Sequence, residues 1–125
     1  MMTMNESRFK EKICSFSGEN ILLKRYGLNL VRGKPDIIGV NKNGRAIYIE
    51  AKVKPYTPTG LQIYNLWELS KYNAYAVIME YDNKLDVVNI YYPKDEKTML
   101  LVKTVKLRDL GAEIDNIAKS RGGQR

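Results

Sequence analysis

The feature that most constrains the fold is a hairpin pattern over residues 35–53. It consists of the apolar run PDIIGV, the turn signal NKNG and the alternating run RAIYIEAKV. An Asn-Gly pair favours a tight turn between antiparallel strands, and strict alternation is typical of a strand with two different faces. The second strand presents two sets of side chains: Ala46, Tyr48, Glu50 and Lys52 on one face, and Ile47, Ile49, Ala51 and Val53 on the other.

Helix and strand patterns surround this hairpin. Asn5 is a candidate N-cap of a first helix, which we expect Gly18 to end. The segment NILLKRYG either continues that helix or forms a strand, and we favour the strand. After the loop KPYTPTG, Thr57 or Thr59 is predicted to cap a helix over residues 58–72. The apolar positions predicted for this helix are Leu61, Leu66 and Leu69.

The rest of the chain adds strands and a final helix. AYAVIM, LDVVNIYY and KTMLLVKTVKL are predicted strands, and RDLGAEIDNIAKS is a predicted helix with Leu110, Ile114 and Ile117 on one face. The resulting order is α-β-β-β-α-β with additions. Such an order predicts an α/β fold in which helices flank a mixed central sheet.

The size of the chain predicts a single domain, residues 1–125. No apolar run approaches the roughly 20 residues that span a bilayer, and the polar start MMTMNESRFKEK is not typical of a secretory signal. The only cysteine, Cys14, has no intrachain disulfide partner, which fits a reducing compartment. We therefore expect a cytoplasmic protein, whether cellular or encoded by a virus or mobile element.

Charge and composition narrow the function. The net charge is +7, and residues 20–54 carry eight basic side chains against two acidic ones. Such a basic segment either keeps a protein soluble or binds a polyanion such as nucleic acid. Histidine is absent. This excludes histidine general bases, catalytic triads that use histidine and zinc sites that contain it.

Three charged side chains are predicted to converge on the hairpin if Asp36 faces the same side as Glu50 and Lys52. Asp36 begins the first strand, and Glu50 and Lys52 share one face of the second. Two adjacent carboxylates repel each other, and a divalent cation removes that repulsion. Oxygen ligands without histidine or cysteine favour Mg²⁺, with Mn²⁺ as a substitute. Such a cation acidifies water and neutralises charge on a phosphate oxygen, so the chemistry indicated is hydrolysis of a phosphodiester.

The same residues carry a resemblance to a known family. GKPDIIGV followed by IYIEAK resembles the PD-(D/E)xK nuclease superfamily, and it is most similar to stand-alone VRR-NUC domains and archaeal-type Holliday junction resolvases. Five motif positions occur in the family's order: Glu6 in NES, Asp36 in LVRGKPD, Glu50 and Lys52 in IYIEAK, and Gln62 in TGLQ. The resemblance implies a restriction-endonuclease-like αβββαβ core over about residues 5–92, with a C-terminal extension over 93–125 that ends in a basic tail.

The resemblance also implies roles for individual residues. Asp36, Glu50 and the backbone carbonyl of Ala51 would ligate the metal, and Lys52 would orient or deprotonate the attacking water or stabilise developing charge. Gln62 would support the site or the scissile phosphate. Glu6 would reach the metal directly or through water, with Glu19 as the first alternative and Glu11 as the second.

Nucleic-acid contacts are expected near the hairpin. The predicted phosphate contacts are Lys24, Arg25, Lys54, Arg32 and Lys34, and Tyr26 and Tyr56 are candidates for stacking on exposed bases. A domain of this size has little room to read sequence. We therefore expect recognition of branched or junction DNA by a homodimer.

These inferences predict a metal-dependent, structure-specific DNA endonuclease, with Holliday junctions or other branched DNA as the expected substrates. Two alternatives remain within nucleic-acid biology. One is a flap, single-strand or nonspecific DNA nuclease of repair or of a mobile element. The other is a catalytically silent DNA-binding subunit. A basic scaffold protein without nucleic-acid chemistry is the third.

Overall fold

The computed structural model describes residues 3–25 and 35–122. In these residues the elements follow in chain order as α1 (Glu6–Cys14), β1 (Ile21–Arg25), β2 (Ile37–Asn41), β3 (Ala46–Val53), α2 (Gly60–Ser70), β4 (Tyr75–Asp82), β5 (Val87–Pro93), β6 (Met99–Lys106) and α3 (Leu110–Lys119). A short 3₁₀ helix, Leu107–Asp109, leads directly into α3.

The six strands form one mixed sheet in the order β1-β2-β3-β4-β5-β6. Neighbouring strands are antiparallel except β3 and β4, which are parallel. A parallel pair needs a crossover connection, and α2 provides it. The predicted α/β fold with a mixed sheet and flanking helices is therefore confirmed.

Helices cover both faces of the sheet. One face packs against α1 and α3, where Phe9, Ile13, Ile114 and Ile117 join the inward side chains of the strands. The other face packs against α2, whose Leu66 contacts β4. The alternation predicted for β3 follows from this arrangement, since Ile47, Ile49 and Ala51 face the first core and Tyr48 faces the second.

The first helix begins where predicted and ends earlier. The side chain of Asn5 accepts a hydrogen bond from the backbone N–H of Arg8, which is an N-cap. The helix ends at Cys14 and not near Gly18. The reason lies in Ser17, whose hydroxyl binds both the N–H and the carbonyl of Leu23 and so directs the chain into β1.

The second helix shows one wrong packing prediction. Thr59 caps it through a reciprocal pair of hydrogen bonds with Gln62, so the helix covers residues 60–70 within the predicted 58–72. Leu61 was predicted to face the core, but it is 47% exposed. Ile63 and Leu66 are the buried residues, because the helix face that contains them packs against the sheet.

The C-terminal segment belongs to the same core. Strand β6 extends the sheet, and α3 buries Leu110, Ile114 and Ile117, as the sequence pattern predicted. Val105, Leu107 and the buried face of α3 therefore add to the first core, while Met99 packs in the second. None of the described helices is long and apolar enough to cross a membrane.

The side chain of Asn41 forms hydrogen bonds with both the hairpin turn and the end of α3. Its side-chain oxygen accepts hydrogen bonds from the backbone N–H groups of Asn43 and Arg45, each at 3.0 Å. Its amide nitrogen donates to the carbonyls of Ile117 at 3.0 Å and Ser120 at 2.7 Å. The residue is buried, so its loss would leave several backbone groups without partners.

We expect Asn41→Ala to lower the free energy of unfolding by about 2 kcal/mol. Urea denaturation followed by circular dichroism measures the change. Asn43→Ala is the matched control, since the exposed Asn43 side chain also donates to the end of α3. An equal loss in the two variants would mean that burial of Asn41 adds nothing to this contact.

Candidate active site

Asp36 and Glu50 face each other across the hairpin. Strands β2 and β3 pair with Ile37 opposite Ile49, so the next position in this antiparallel register sets Asp36 opposite Glu50. Opposite residues of antiparallel strands point to the same face, with Cβ atoms about 5 Å apart. Both side chains are buried, at 3% and 2% exposure, and their carboxyl groups are hydrogen-bonded to each other. The structure thus brings the two predicted carboxylates into direct contact.

The backbone of Ala51 completes an oxygen-lined corner. The Ala51 N–H donates a hydrogen bond to Oδ2 of Asp36 at 3.3 Å. In a strand the N–H and carbonyl of one residue point to the same side. The Ala51 carbonyl therefore also lies on the side of β3 that faces Asp36.

Lys52 joins three acidic side chains. Its Nζ lies 3.4 Å from Oε1 of Glu50, 3.9 Å from Oδ2 of Asp36 and 3.3 Å from Oε1 of Glu6. The ammonium group is half-buried and also sits 5.4 Å from the ring centroid of Tyr56. Lys52 is therefore positioned by charge on one side and by an aromatic ring on the other.

Lys10 is a member of the site that the sequence analysis missed. Its Nζ lies 3.1 Å from Oε2 of Glu6 and 3.3 Å from Oδ1 of Asp36. The helical spacing was a usable signal, because Lys10 follows Glu6 by four residues and so lies on the same face of α1. The site thus contains three carboxyl groups and two ammonium groups.

Burial and charge together set the protonation of this cluster. Burial, with Asp36 alongside, raises the pKa of Glu50 to about 9, so the metal-free protein holds a proton on Glu50 at neutral pH. Burial also opposes ionisation of Asp36, but the hydrogen bond from Glu50 and the ammonium groups of Lys10 and Lys52 outweigh it and lower the pKa of Asp36. Burial likewise disfavours the ammonium form of Lys52, yet Glu50, Asp36 and Glu6 raise the pKa of Lys52.

Gln62 lies beside this cluster and makes structural contacts. Its side-chain oxygen accepts hydrogen bonds from the N–H of Thr59 and from the hydroxyl of Tyr56. Tyr56 in turn lies against Lys52. In this arrangement Gln62 supports the site through Tyr56 and caps α2 at the same time.

The alternatives to Glu6 lie elsewhere. Glu11 is on the exposed side of α1, where its carboxylate is 3.6 Å from Nη1 of Arg25. Glu19 precedes β1 and lines a shallow surface depression near Val40, at the opposite end of β2 from Asp36. Of the three glutamates, the structure brings Glu6 alone to Lys52.

Predicted phosphate contacts partly surround the site. Lys24 and Arg25 are exposed at the end of β1, opposite Ile38 and Ile37. Lys54 is exposed just after β3 and lies 3.6 Å from the carboxylate of Asp82. Three further predicted contacts lie outside the described residues: Tyr26, Arg32 and Lys34.

The donor set fits a hard divalent cation bound mainly by two carboxylates. Across residues 3–25 and 35–122 there is no group of three or more His, Cys, Asp or Glu side chains placed to hold a metal ion, so Glu6 does not complete a three-carboxylate site. Mg²⁺ commonly binds through one or two carboxylates and keeps several waters. The proton shared by the buried Asp36 and Glu50 marks a place where a cation would relieve their repulsion.

Comparison with known proteins adds no assignment. No model of a known protein family matches the chain, and no curated protein matches it.

Proposed function

We propose that the protein is a Mg²⁺-dependent DNA endonuclease that hydrolyses phosphodiester bonds. The observation that carries the proposal is the contact of Asp36 with Glu50 across β2 and β3, with Nζ of Lys52 within 4 Å of both. Two buried carboxyl groups beside a lysine, in a chain of net charge +7, suit a metal that acts on a polyanion.

The order of elements supports a restriction-endonuclease-like core. The first six elements run α1, β1, β2, β3, α2 and β4, with an antiparallel β1-β2-β3 unit and a parallel β3–β4 pair. This is the αβββαβ order that the resemblance to PD-(D/E)xK nucleases implies. Membership in that superfamily, and similarity to VRR-NUC domains, are part of the proposal.

The chain's own residues have distinct roles in this proposal. Asp36, Glu50 and the carbonyl of Ala51 would hold Mg²⁺. The bound cation would supply Lewis acidity for hydrolysis and neutralise charge on a phosphate oxygen. Lys52 carries a raised pKa in the metal-free state, which favours a role as hydrogen-bond donor to the attacking water or to the phosphate over a role as base. Glu6 holds Lys52 in place.

DNA would approach over the basic residues that flank the site. Lys24 and Lys54 are exposed on either side of the hairpin and are suited to phosphate contacts. Cutting both strands of a junction requires two sites, so a symmetric homodimer belongs to the junction form of the proposal. Light scattering at micromolar concentration tests the dimer separately.

One assay tests the proposed activity. The purified wild-type protein is incubated with Mg²⁺ or EDTA and with four-way junction, flap, single-stranded and linear duplex DNA. Cleavage of at least one substrate with Mg²⁺ and none with EDTA is expected. Absence of cleavage on every substrate would refute the nuclease proposal, and equal cleavage of all four would refute the structure-specific form alone.

One observation favours a second function, a catalytically silent DNA-binding subunit. Lys10 and Lys52 already neutralise Asp36 and Glu6, so the charged cluster is paired without a metal. Such a network is also compatible with a purely structural role. Salt-dependent DNA binding without cleavage or any effect of Mn²⁺ on stability would support this second function.

Competition between Lys10 and the metal gives a further prediction. We expect Lys10→Met to bind Mn²⁺ about 10-fold more tightly than the wild type. The substitution removes the ammonium group that pairs with the carboxylates of Asp36 and Glu6 and repels the metal ion. Isothermal titration calorimetry measures the affinity. Lys12→Met, on the same helix but near Phe16, is the control and should leave it unchanged. Weaker binding in Lys10→Met would mean that Lys10 organises the ligands instead of competing with the metal.

A further inference from the structure

A cavity adjoins the proposed catalytic site on the α2 face of the sheet. Its volume is about 330 Å³, and its walls include Tyr56, Ile63, Ile78, Tyr91 and Met99. Cavities of this size are typical of small-molecule and side-group pockets. Tyr56 belongs to both places, because its ring lies near Nζ of Lys52 and also lines the cavity.

A row of polar side chains links the cavity to the catalytic residues. Lys52, Glu80, Asn89 and Thr104 are successive partners across β3, β4, β5 and β6. Partners in a sheet point to the same face. Glu80, the neighbour of Lys52 in this row, therefore lies on the face of the cavity and forms part of its wall.

Glu80 is buried without a cationic partner. Its side chain is 7% exposed, and none of the described lysines or arginines forms an ion pair with it. A buried carboxylate in largely apolar surroundings is costly unless donors satisfy it. Glu80 therefore depends on hydrogen-bond donors around it.

The hydrogen bonds of Glu80 leave one oxygen available. Asn89 donates to Oε1 at 3.2 Å and the Tyr91 hydroxyl donates to the same atom at 3.3 Å. Thr104 donates to the side-chain oxygen of Asn89 at 2.8 Å, which fixes the Asn89 amide with its nitrogen toward Glu80. Among the described residues, Oε2 of Glu80 receives no donor. These hydrogen bonds fix the Glu80 side chain and leave Oε2 to accept a hydrogen bond from a ligand in the cavity.

The ligand that matches these walls is flat, apolar on its faces and a donor at its edge. Aromatic side chains stack on nucleobases, and unpaired bases are commonly read by hydrogen bonds at their Watson–Crick edge. Cytosine, adenine and guanine present an exocyclic amino group to a carboxylate. Thymine and uracil have one ring N–H at this edge, and it lies between carbonyl oxygens. A carboxylate repels these oxygens.

We propose that this cavity binds an unpaired nucleobase bearing an exocyclic amino group, from a nucleotide next to the bond that is cleaved. The inference rests on the proposed nuclease function for the identity of the ligand. It adds a substrate preference to that function. A base in an intact duplex has its Watson–Crick edge paired and cannot enter the cavity. The preferred substrates are then flaps, single strands and opened branch points, with an unpaired cytosine, adenine or guanine beside the cleavage site.

Binding without cleavage tests the cavity directly. Fluorescence anisotropy compares ten-nucleotide deoxycytidine and deoxyuridine oligomers on the wild-type protein in EDTA at constant salt. The two bases differ at the Watson–Crick edge and share the same backbone charge. We expect the deoxycytidine oligomer to bind about 10-fold more tightly, as for one hydrogen bond to a charged group. Equal affinities would overturn the proposal.

Glu80→Gln is the decisive variant. A glutamine that keeps its oxygen toward Asn89 and Tyr91 turns an amide NH₂ into the cavity, so the preference for deoxycytidine should disappear or reverse. Glu113 is a buried acid on the opposite face of the sheet, so the Glu113→Gln variant should retain the preference for deoxycytidine. A preference for deoxycytidine that survives Glu80→Gln would overturn the proposal.

A second measurement needs no variant and guards against a Glu80→Gln protein that fails to fold. Addition of deoxycytidine monophosphate to the wild type should shift the methyl NMR signals of Ile63 and Ile78, which line the cavity, and not that of Ile114 on the other face. Deoxyuridine monophosphate should shift them far less. Absence of a shift with the cytidine nucleotide at millimolar concentration would overturn the proposal.

The outcomes separate this inference from the nuclease proposal. A wild type that prefers deoxycytidine but cleaves no substrate refutes the nuclease proposal and leaves a base-binding cavity. A wild type that cleaves DNA with Mg²⁺ but shows no difference between the two oligomers refutes the cavity and leaves the nuclease.

Discussion

Asp36→Asn is expected to reduce Mg²⁺-dependent DNA cleavage by roughly 100- to 1,000-fold, because it removes one of the two carboxylates that would hold the metal. The substitution is nearly isosteric, so the backbone hydrogen bond from Ala51 retains an oxygen acceptor. Lys52→Ala should cause a loss of similar size, since the ammonium group contacts both carboxyl groups. Single-turnover cleavage of a flap substrate measures both effects.

The control for this prediction is Glu113→Gln. Glu113 is a buried acid paired with Lys103 at 3.0 Å, and it lies in the core on the opposite face of the sheet. This variant tests whether removal of any buried carboxylate lowers activity simply because it destabilises the folded protein. Cleavage that persists in Asp36→Asn would place the activity outside this cluster, and an equal loss in Glu113→Gln would attribute the effect to folding.

The stability of the metal-free protein is expected to fall by about 4 kcal/mol between pH 5 and pH 8 through Glu50. Burial and the neighbouring Asp36 raise the pKa of Glu50 to about 9, against an ordinary value of 4.5. Between these two values the native state holds a proton that the unfolded state releases. The unfolded state is therefore favoured as pH rises through this window.

Other members of the cluster act in different windows. The pKa of Asp36 is lowered, so its contribution is present above the ordinary value of 3.8 and is lost in more acidic solution. The pKa of Lys52 is raised, so its contribution is present below 10.5 and is lost in more alkaline solution. Neither group changes its ionisation much between pH 5 and pH 8. The slope in this window belongs to Glu50.

Urea denaturation in EDTA at pH 5 and pH 8 measures this slope. Glu50→Gln cannot titrate and should show a much smaller difference between the two pH values. It should also be more stable than the wild type at pH 8, because Glu50 must take up a proton on folding at this pH and a glutamine need not. A wild type whose stability rises from pH 5 to pH 8 would show that Glu50 is ionised in the native state. Mn²⁺ should stabilise the wild type more at pH 8 than at pH 5, because metal binding displaces the Glu50 proton and this costs less free energy at higher pH.

Local patterns were sufficient for most of the elements. The N-cap Asn5, the alternation in β3 and the face of α3 that contains Ile114 were all readable because each depends on residues close in sequence. The hairpin follows in the same way from the turn signal NKNG, but its register does not, because a two-residue Asn43-Gly44 turn would set Asp36 opposite Ala51. The structure closes the hairpin with the three-residue loop 42–44, in which Gly44 takes a φ of 79°, and this register sets Asp36 opposite Glu50.

Features that depend on distant segments were not readable. The spacing of Glu6 and Lys10 places both on one face of α1, but the contact of Lys10 with Asp36 depends on how α1 packs beside the start of β2, and no local pattern specifies that packing. The orientation of α2, which exposes Leu61 and buries Ile63, depends on which helix face meets β4.

The sequence by itself determined the hairpin whose strands carry Asp36, Glu50 and Lys52, since alternation and turn chemistry act over a few residues. Only the tertiary structure decided that Glu6, and not Glu19, meets Lys52, and that Glu80 and Tyr91 share a cavity with Tyr56. The physical reason is range. Strand pairing across β3, β4 and β5 and helix packing on the two faces are cooperative choices of the whole chain, and they place side chains from distant segments together.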